Sequence, residues 1–224
     1  MATATVENYV KQLYLLQEQR EDPEDLVPVG ELAKVIGVVP GTATTMVRTL
    51  SEAGLARHEP WSGVRLTDNG RNLALRILRR HRMVELFLVK IMEFDWADVH
   101  DEAEELEHVV SEKLVTKMEE MLDHPKVDLH GDPIPDSSGL VVERTLTPLN
   151  EGSTGIWYRV GRISHGDENF LNFIQQNGLS PGEILRIRER NDQAGILTLK
   201  TASQDSATLA LSMAEKIQVE VADP

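Results

Sequence analysis

The 224-residue sequence contains no cysteine, which rules out a disulfide framework and removes the thiolate from the set of metal donors. Any metal site is thereby tilted toward imidazole and carboxylate, a donor set that suits Mn²⁺ or Fe²⁺. No apolar run approaches the roughly 20 residues needed to cross a bilayer. The first residues, Met1 to Thr5, lack the basic and apolar stretches of a signal peptide. A cytoplasmic protein without a membrane partner is expected. Internal repeats and low-complexity tracts are also missing, and with 41 % hydrophobic residues the chain has enough apolar side chain for two or three compact domains.

Basic residues are scarce. Lys and Arg number 23 against 37 Asp and Glu, a net charge of −14, which on its own argues against phosphate binding. Their distribution argues the other way. Pro40 to Arg82 carries eight Arg against three acids, whereas Glu93 to Asp136 carries fifteen acids against three Lys. One region is suited to phosphate and the other to cations.

The acidic region contains Val99-His-Asp-Glu-Ala-Glu-Glu-Leu-Glu-His108, which puts His100, Glu104, Glu107 and His108 at helical offsets of zero, four, seven and eight. They share one face, beside an apolar face of Ala103, Leu106, Val109 and Val110. Carboxylates so crowded weaken a helix by about a few tenths of a kcal/mol per pair unless a cation sits among them. A divalent metal is the economical reading, and a solvated acidic helix with two incidental histidines is the alternative. Upstream, His81 and Glu85 stand at i and i+4 on another expected helix. Either pair alone reads as a surface ion pair; two pairs on consecutive helices of a hairpin favour metal.

The pattern predicts a mainly α chain with a small β domain. A helix over residues 5–19 has apolar positions at Val6, Val10, Leu13, Tyr14 and Leu16. A short helix from Val29 closes at Gly37, and a third opens at Pro40 and stops at Gly54. Leu55 to Leu66, turning at Trp61-Ser62-Gly63, reads as a hairpin, so the unit is a winged helix-turn-helix. A long helix begins at Thr67-Asp68-Asn69-Gly70. Short strand-like runs at 156–163, 184–189, 196–201, 208–211 and 217–221 predict a small barrel. The expected domains are a DNA-binding unit at 1–72, a helical metal-binding and dimerisation unit at 73–140, a linker at 141–154 and the barrel at 155–224.

This order of elements, with the Val99–His108 helix, His81 to Glu85 and His130-Gly-Asp-Pro-Ile-Pro135, resembles the diphtheria-toxin-repressor and manganese-transport-regulator family over almost the whole chain. The resemblance implies a homodimeric, metal-activated repressor of metal-uptake genes that binds double-stranded operator DNA and ends in an SH3-like domain. It implies a primary metal site of Glu104, Glu107 and His108 with Asn8 from helix one. It also implies a second site of His81, Glu85 and His100, extended by Asp128 and His130 and closed from the barrel segment by Asp167 or Glu168. Iron-responsive members carry Cys and Met where this chain has Glu104 and Asn8, and manganese-responsive members carry Glu and Asp. Mn²⁺ is therefore favoured over Fe²⁺, although Asn8 brings only a neutral oxygen and Lys11 stands where some manganese sensors have a second acid.

For DNA, the third helix offers Pro40, Gly41, Thr42, Thr44, Thr45 and Arg48, and the wing offers Arg57 and Arg65, with His58 beside them. Trp61 at the wing tip suits packing on a neighbouring helix as well as touching DNA. Metal is expected to bridge helix one to Glu104–His108, and Val110, Leu114 and Met118 to supply the dimer contact. A winged-helix sensor of an organic ligand and a metal-dependent hydrolase are the competing classes.

Overall fold

A computed structural model describes residues 3–22, 24–96, 98–142, 144–164, 168–201 and 206–222. The chain divides into two compact units, one formed by 1–81, 104–112 and 135–140 and the other by 82–103, 113–134 and 141–224.

In the first unit, α1 (Ala4–Glu18) starts at Thr3, whose hydroxyl accepts the Val6 N–H. It buries Tyr9, Val10, Leu13, Tyr14 and Leu16, together with Glu7 and Lys11. Two charged residues on that apolar stripe mark a polar site inside the fold. Helix α2 (Val29–Ile36) ends at Gly37, which takes the left-handed conformation at φ 77°. Helix α3 (Pro40–Glu52) follows, packed through Ala43, Val47 and Leu50. Strands β1 (Ala56–Glu59) and β2 (Gly63–Leu66) pair antiparallel as the wing. Val27 bridges to Val64 and so binds the wing to the strand-like entry into α2.

The wing leads into α4 (Asp68–Met92), a 25-residue helix. Helix α5 (Val99–Leu106) is shorter than the sequence pattern predicts. It ends at Leu106, whose carbonyl accepts both the Val109 and Val110 N–H groups, so Glu107 and His108 sit in a turn. Adjacent β-branched valines followed by serine are poor helix formers, which accounts for the stop. A separate helix, α6 (Glu112–Met121), follows.

The second unit contains a six-stranded antiparallel sheet of order β3-β8-β4-β5-β6-β7. Its strands are β3 (Thr147–Pro148), β4 (Trp157–Ile163), β5 (Ile184–Asn191), β6 (Ile196–Thr201), β7 (Ala207–Ala210) and β8 (Ile217–Val221). Leu185, Ile187, Leu197, Leu199, Ile217 and Val219 are fully buried and alternate with outward residues, the period of a one-faced sheet, and in β4 a register shift between Val160 and Arg162 carries the buried face from Val160 to Ile163. The segment expected to be a linker carries β3, which pairs with β8, and buries Leu149 completely. Helix α7 (Glu168–Gln176) and the short α8 (Leu211–Ala214) add to the strands that the sequence pattern predicts.

Candidate metal centre

The first unit brings Glu7, Asn8, Lys11, His81, Glu104, Glu107 and His108 together. Glu107 is the hub and is fully buried. Its Oε2 accepts from His81 Nδ1 at 2.7 Å, and its Oε1 lies 3.4 Å from His108 Nε2. The Lys11 ammonium donates to Glu107 Oε1 and Oε2 at 2.7 and 2.9 Å and to Glu104 Oε1 at 2.6 Å. His81, which the resemblance groups with Glu85 and His100, here hydrogen-bonds Glu107 and lies 3.8 Å from Glu104 Oε1.

His108 has its two nitrogens in different surroundings. Nδ1 donates to Glu7 Oε2 at 2.7 Å, because a carboxylate only accepts. In the neutral ring Nε2 then carries the lone pair, and it faces Asn8 Oδ1 at 2.9 Å and Glu107 Oε1 at 3.4 Å. Nε2 and Asn8 Oδ1 then meet as two acceptors with no hydrogen between them, beside Glu107 Oε1, which also accepts from Lys11. That is a donor set for a cation, backed by a carboxylate that fixes the histidine tautomer. Glu7 was not singled out in the sequence. Its signal is a carboxylate on the buried stripe of α1, one turn from Lys11.

In the second unit, Glu85 is buried and His100 Nδ1 pairs with its Oε1 at 3.1 Å. Asp128 is held otherwise than a ligand would be. Its Oδ1 accepts the backbone N–H groups of His130 and Asp132, each at 2.9 Å, and its Oδ2 meets Arg82 Nε at 3.1 Å. The carboxylate shapes the His-Gly-Asp-Pro turn. Burial raises its pKa to about 7, against the lowering effect of Arg82. The His130 ring lies 5.1 Å from that of Trp96, and the His130 carbonyl accepts from Ile163 of β4 at 2.7 Å. A Cβ at Gly131, whose φ is 86°, would meet the Gly161 carbonyl at 2.1 Å, so only glycine lets this turn lie on β4. Asp167 and the Glu168 side chain fall outside the described residues.

The DNA residues expected from the sequence lie on one exposed surface of α3 and on the wing. Pro40, Gly41, Thr42, Thr45 and Arg48 are exposed, and Thr44 is half-buried. The hydroxyls of Thr44 and Thr45 donate to the carbonyls of Pro40 and Gly41 at 2.8 and 3.0 Å, so toward a partner they act as acceptors. No side chain caps the start of α3; Pro40 carries no N–H, and the Thr42 and Ala43 N–H groups reach the Val39 carbonyl at 3.0 and 3.3 Å. Arg57 and Arg65 are directly opposed across the wing, a like-charge pairing. Arg65 also pairs with Glu24. Trp61, at the tip with φ 71°, is fully exposed and packs on no neighbouring helix.

Of the expected dimer residues, Val110 and Met118 are buried within the single chain and Leu114 is 46 % exposed. Val109, which the helical periodicity placed on the core face, is 75 % exposed because the turn after Leu106 rotates it outward. Among the described residues no helix is long and apolar enough to cross a membrane.

Three family models match in succession. They are the N-terminal DNA binding domain of iron dependent repressors at residues 1–64, their metal binding and dimerisation domain at 67–136, and the FeoA domain at 147–221. The diphtheria toxin repressor of Corynebacterium glutamicum is 33 % identical over 191 residues, 85 % of this chain and 77 % of that protein. The iron-dependent repressor IdeR of Mycobacterium tuberculosis is 27 % identical over 96 % of both chains. A solved manganese-dependent transcriptional repressor in complex with manganese is 36 % identical over 97 % of this chain and 100 % of its own, with a TM-score of 0.83. The chain belongs to the iron-dependent repressor family of metal-dependent, DNA-binding transcriptional regulators, and is a regulator rather than an enzyme.

Proposed function

We propose that the chain is a Mn²⁺-activated repressor, with Fe²⁺ as the less favoured activator, that binds operator DNA as a homodimer and controls metal-uptake genes. The observation that carries this reading is the convergence of His108 Nε2, Asn8 Oδ1 and Glu107 Oε1 in a cluster without sulfur. Two oxygens and one imidazole suit a hard or borderline ion. Glu107 and His108, with Asn8, would hold the ion, Glu104 stands beside them on Lys11, and Glu7 orients His108 from behind. An ion held there would supply positive charge to the buried carboxylate, and Asn8 of α1 would share it with Glu107 and His108 of the turn after α5. Asn8 then ties the first helix of the DNA-reading unit to the acidic segment. Arg48 and the start of α3 meet the DNA, with Arg57 and Arg65 on the backbone. The exposed Val109 and Leu114 of the dimerisation region supply apolar surface for a second copy.

Asp128 is left out of this site because both of its oxygens are engaged by the turn and by Arg82. Glu85 and His100 remain as the core of an auxiliary site. The test is selection of genomic DNA fragments by the full chain in Mn²⁺, Fe²⁺ and chelator. Two-fold symmetric sites with half-sites about one DNA turn apart are expected in Mn²⁺. Recovery of the same fragments in chelator contradicts the reading.

A further inference from the structure

Lys11 is unusual for a lysine. Its side chain is 2 % exposed, and its Nζ has three carboxylate oxygens at 2.6, 2.7 and 2.9 Å, two of these oxygens belonging to the fully buried Glu107. A compact ammonium ringed by oxygens in this way is coordinated much as an ion is. The stem that carries it leaves α1 one turn after Glu7 and three residues after Asn8, so the charge is tethered to the helix that also supplies a metal donor.

We propose that Lys11 is a resident cation that fills the Glu104–Glu107 position of the acidic cluster. The cluster therefore accepts a single metal ion, on the His108, Asn8 and Glu107 side, and α1 is already held to Glu104 and Glu107 before metal arrives. This rests on the reading that the cluster binds metal. The two positions meet at Glu107 Oε1: Lys11 engages Glu104 and both oxygens of Glu107, while His108 Nε2, which Asn8 Oδ1 faces at 2.9 Å, lies 3.4 Å from Glu107 Oε1. Burying Glu107 with no counter-charge is unfavourable, and the Lys11 ammonium supplies that charge.

The experiment counts Mn²⁺ per full-length chain by equilibrium dialysis and low-temperature EPR for wild type, Lys11→Met and Lys11→Glu. Lys11→Met keeps the stem and removes the charge, and Lys11→Glu puts a carboxylate in place of the ammonium. Both variants are expected to bind one more Mn²⁺ than wild type, with the spectrum of a spin-coupled pair in Lys11→Glu. Lys11→Met is also expected to melt at lower temperature than wild type without metal and to recover in Mn²⁺. A variant that does not fold without metal is refolded and counted in Mn²⁺; failure to regain the wild-type circular dichroism there overturns the proposal, because an ion then does not replace the ammonium. Equal ion counts in wild type and Lys11→Glu overturn this inference alone. A wild type that binds no Mn²⁺ overturns the proposed function along with it.

Discussion

His108 Nδ1 lies 2.7 Å from Glu7 Oε2, and this contact turns the other ring nitrogen toward Asn8 and Glu107. A carboxylate behind a metal-binding histidine fixes the tautomer and raises ligand basicity, and its loss typically lowers affinity by about 10–100-fold. Glu7→Gln keeps an acceptor but removes the charge, and is expected to weaken Mn²⁺ binding within that range while leaving the melting temperature of the metal-free protein close to wild type. Calorimetric titration checks it. An unchanged affinity would show that packing alone aims His108.

Asn8 is expected to set selectivity. Asn8→Asp adds an anionic hard oxygen and should tighten Mn²⁺ binding, whereas Asn8→Met adds a soft donor and should move preference toward Fe²⁺. Anaerobic competition titrations of the two variants measure this. If neither differs from wild type, Asn8 does not reach the ion and helix one is tied to the site by another group.

On the DNA face, Arg48→Ala should weaken operator binding and leave the Mn²⁺ affinity of the free protein unchanged, because Arg48 is exposed on α3 and belongs to none of the donor clusters. If Arg57 contacts a phosphate, Arg57→Ala should lower the slope of log affinity against log salt by about one. A drop in metal affinity for Arg48→Ala, measured without DNA, would assign that residue to the fold instead.

Asp128 gives a pH signature. Burial raises its pKa from 3.8 to about 7 in the folded protein, so between those values the native state binds a proton that the unfolded chain does not. Its contribution therefore makes the protein less stable as pH rises from about 4 to about 7, opposite to the usual carboxylate. Asp128→Asn keeps an oxygen for the His130 and Asp132 N–H groups and should flatten that fall. Thermal melts of metal-free protein across this range test it; a wild-type slope in the variant would mean that Asp128 ionises normally.

Periodicity and end signals made most of the fold legible, because they act locally. Pro40 and Gly37 mark helix boundaries, and the alternation in residues 184–189 and 196–201 gives strands that the sheet contains. The break after Leu106 was not legible, since the helical spacing of Glu107 and His108 fits an uninterrupted helix as well as a helix and a turn. Nor was β3, two residues long and defined only by its partner β8. In the metal centre the titratable residues were visible but their pairing was not. Asp128 is of a ligand's type, yet its turn and Arg82 engage it, and Glu7 and Lys11 are defined by atoms about 100 residues away in the chain.

The central claim is that one metal-dependent coupling joins the His108 site to the DNA-reading surface, and coupling of this kind is reciprocal. It is tested most directly by fluorescence anisotropy of a selected operator titrated with the full chain in chelator and in Mn²⁺, for wild type and for His108→Ala. The account predicts that Mn²⁺ tightens wild-type binding by at least about tenfold, a coupling in the usual range, while His108→Ala stays folded and dimeric and gains nothing. Equal operator affinity of the wild type in chelator and in Mn²⁺ would contradict it.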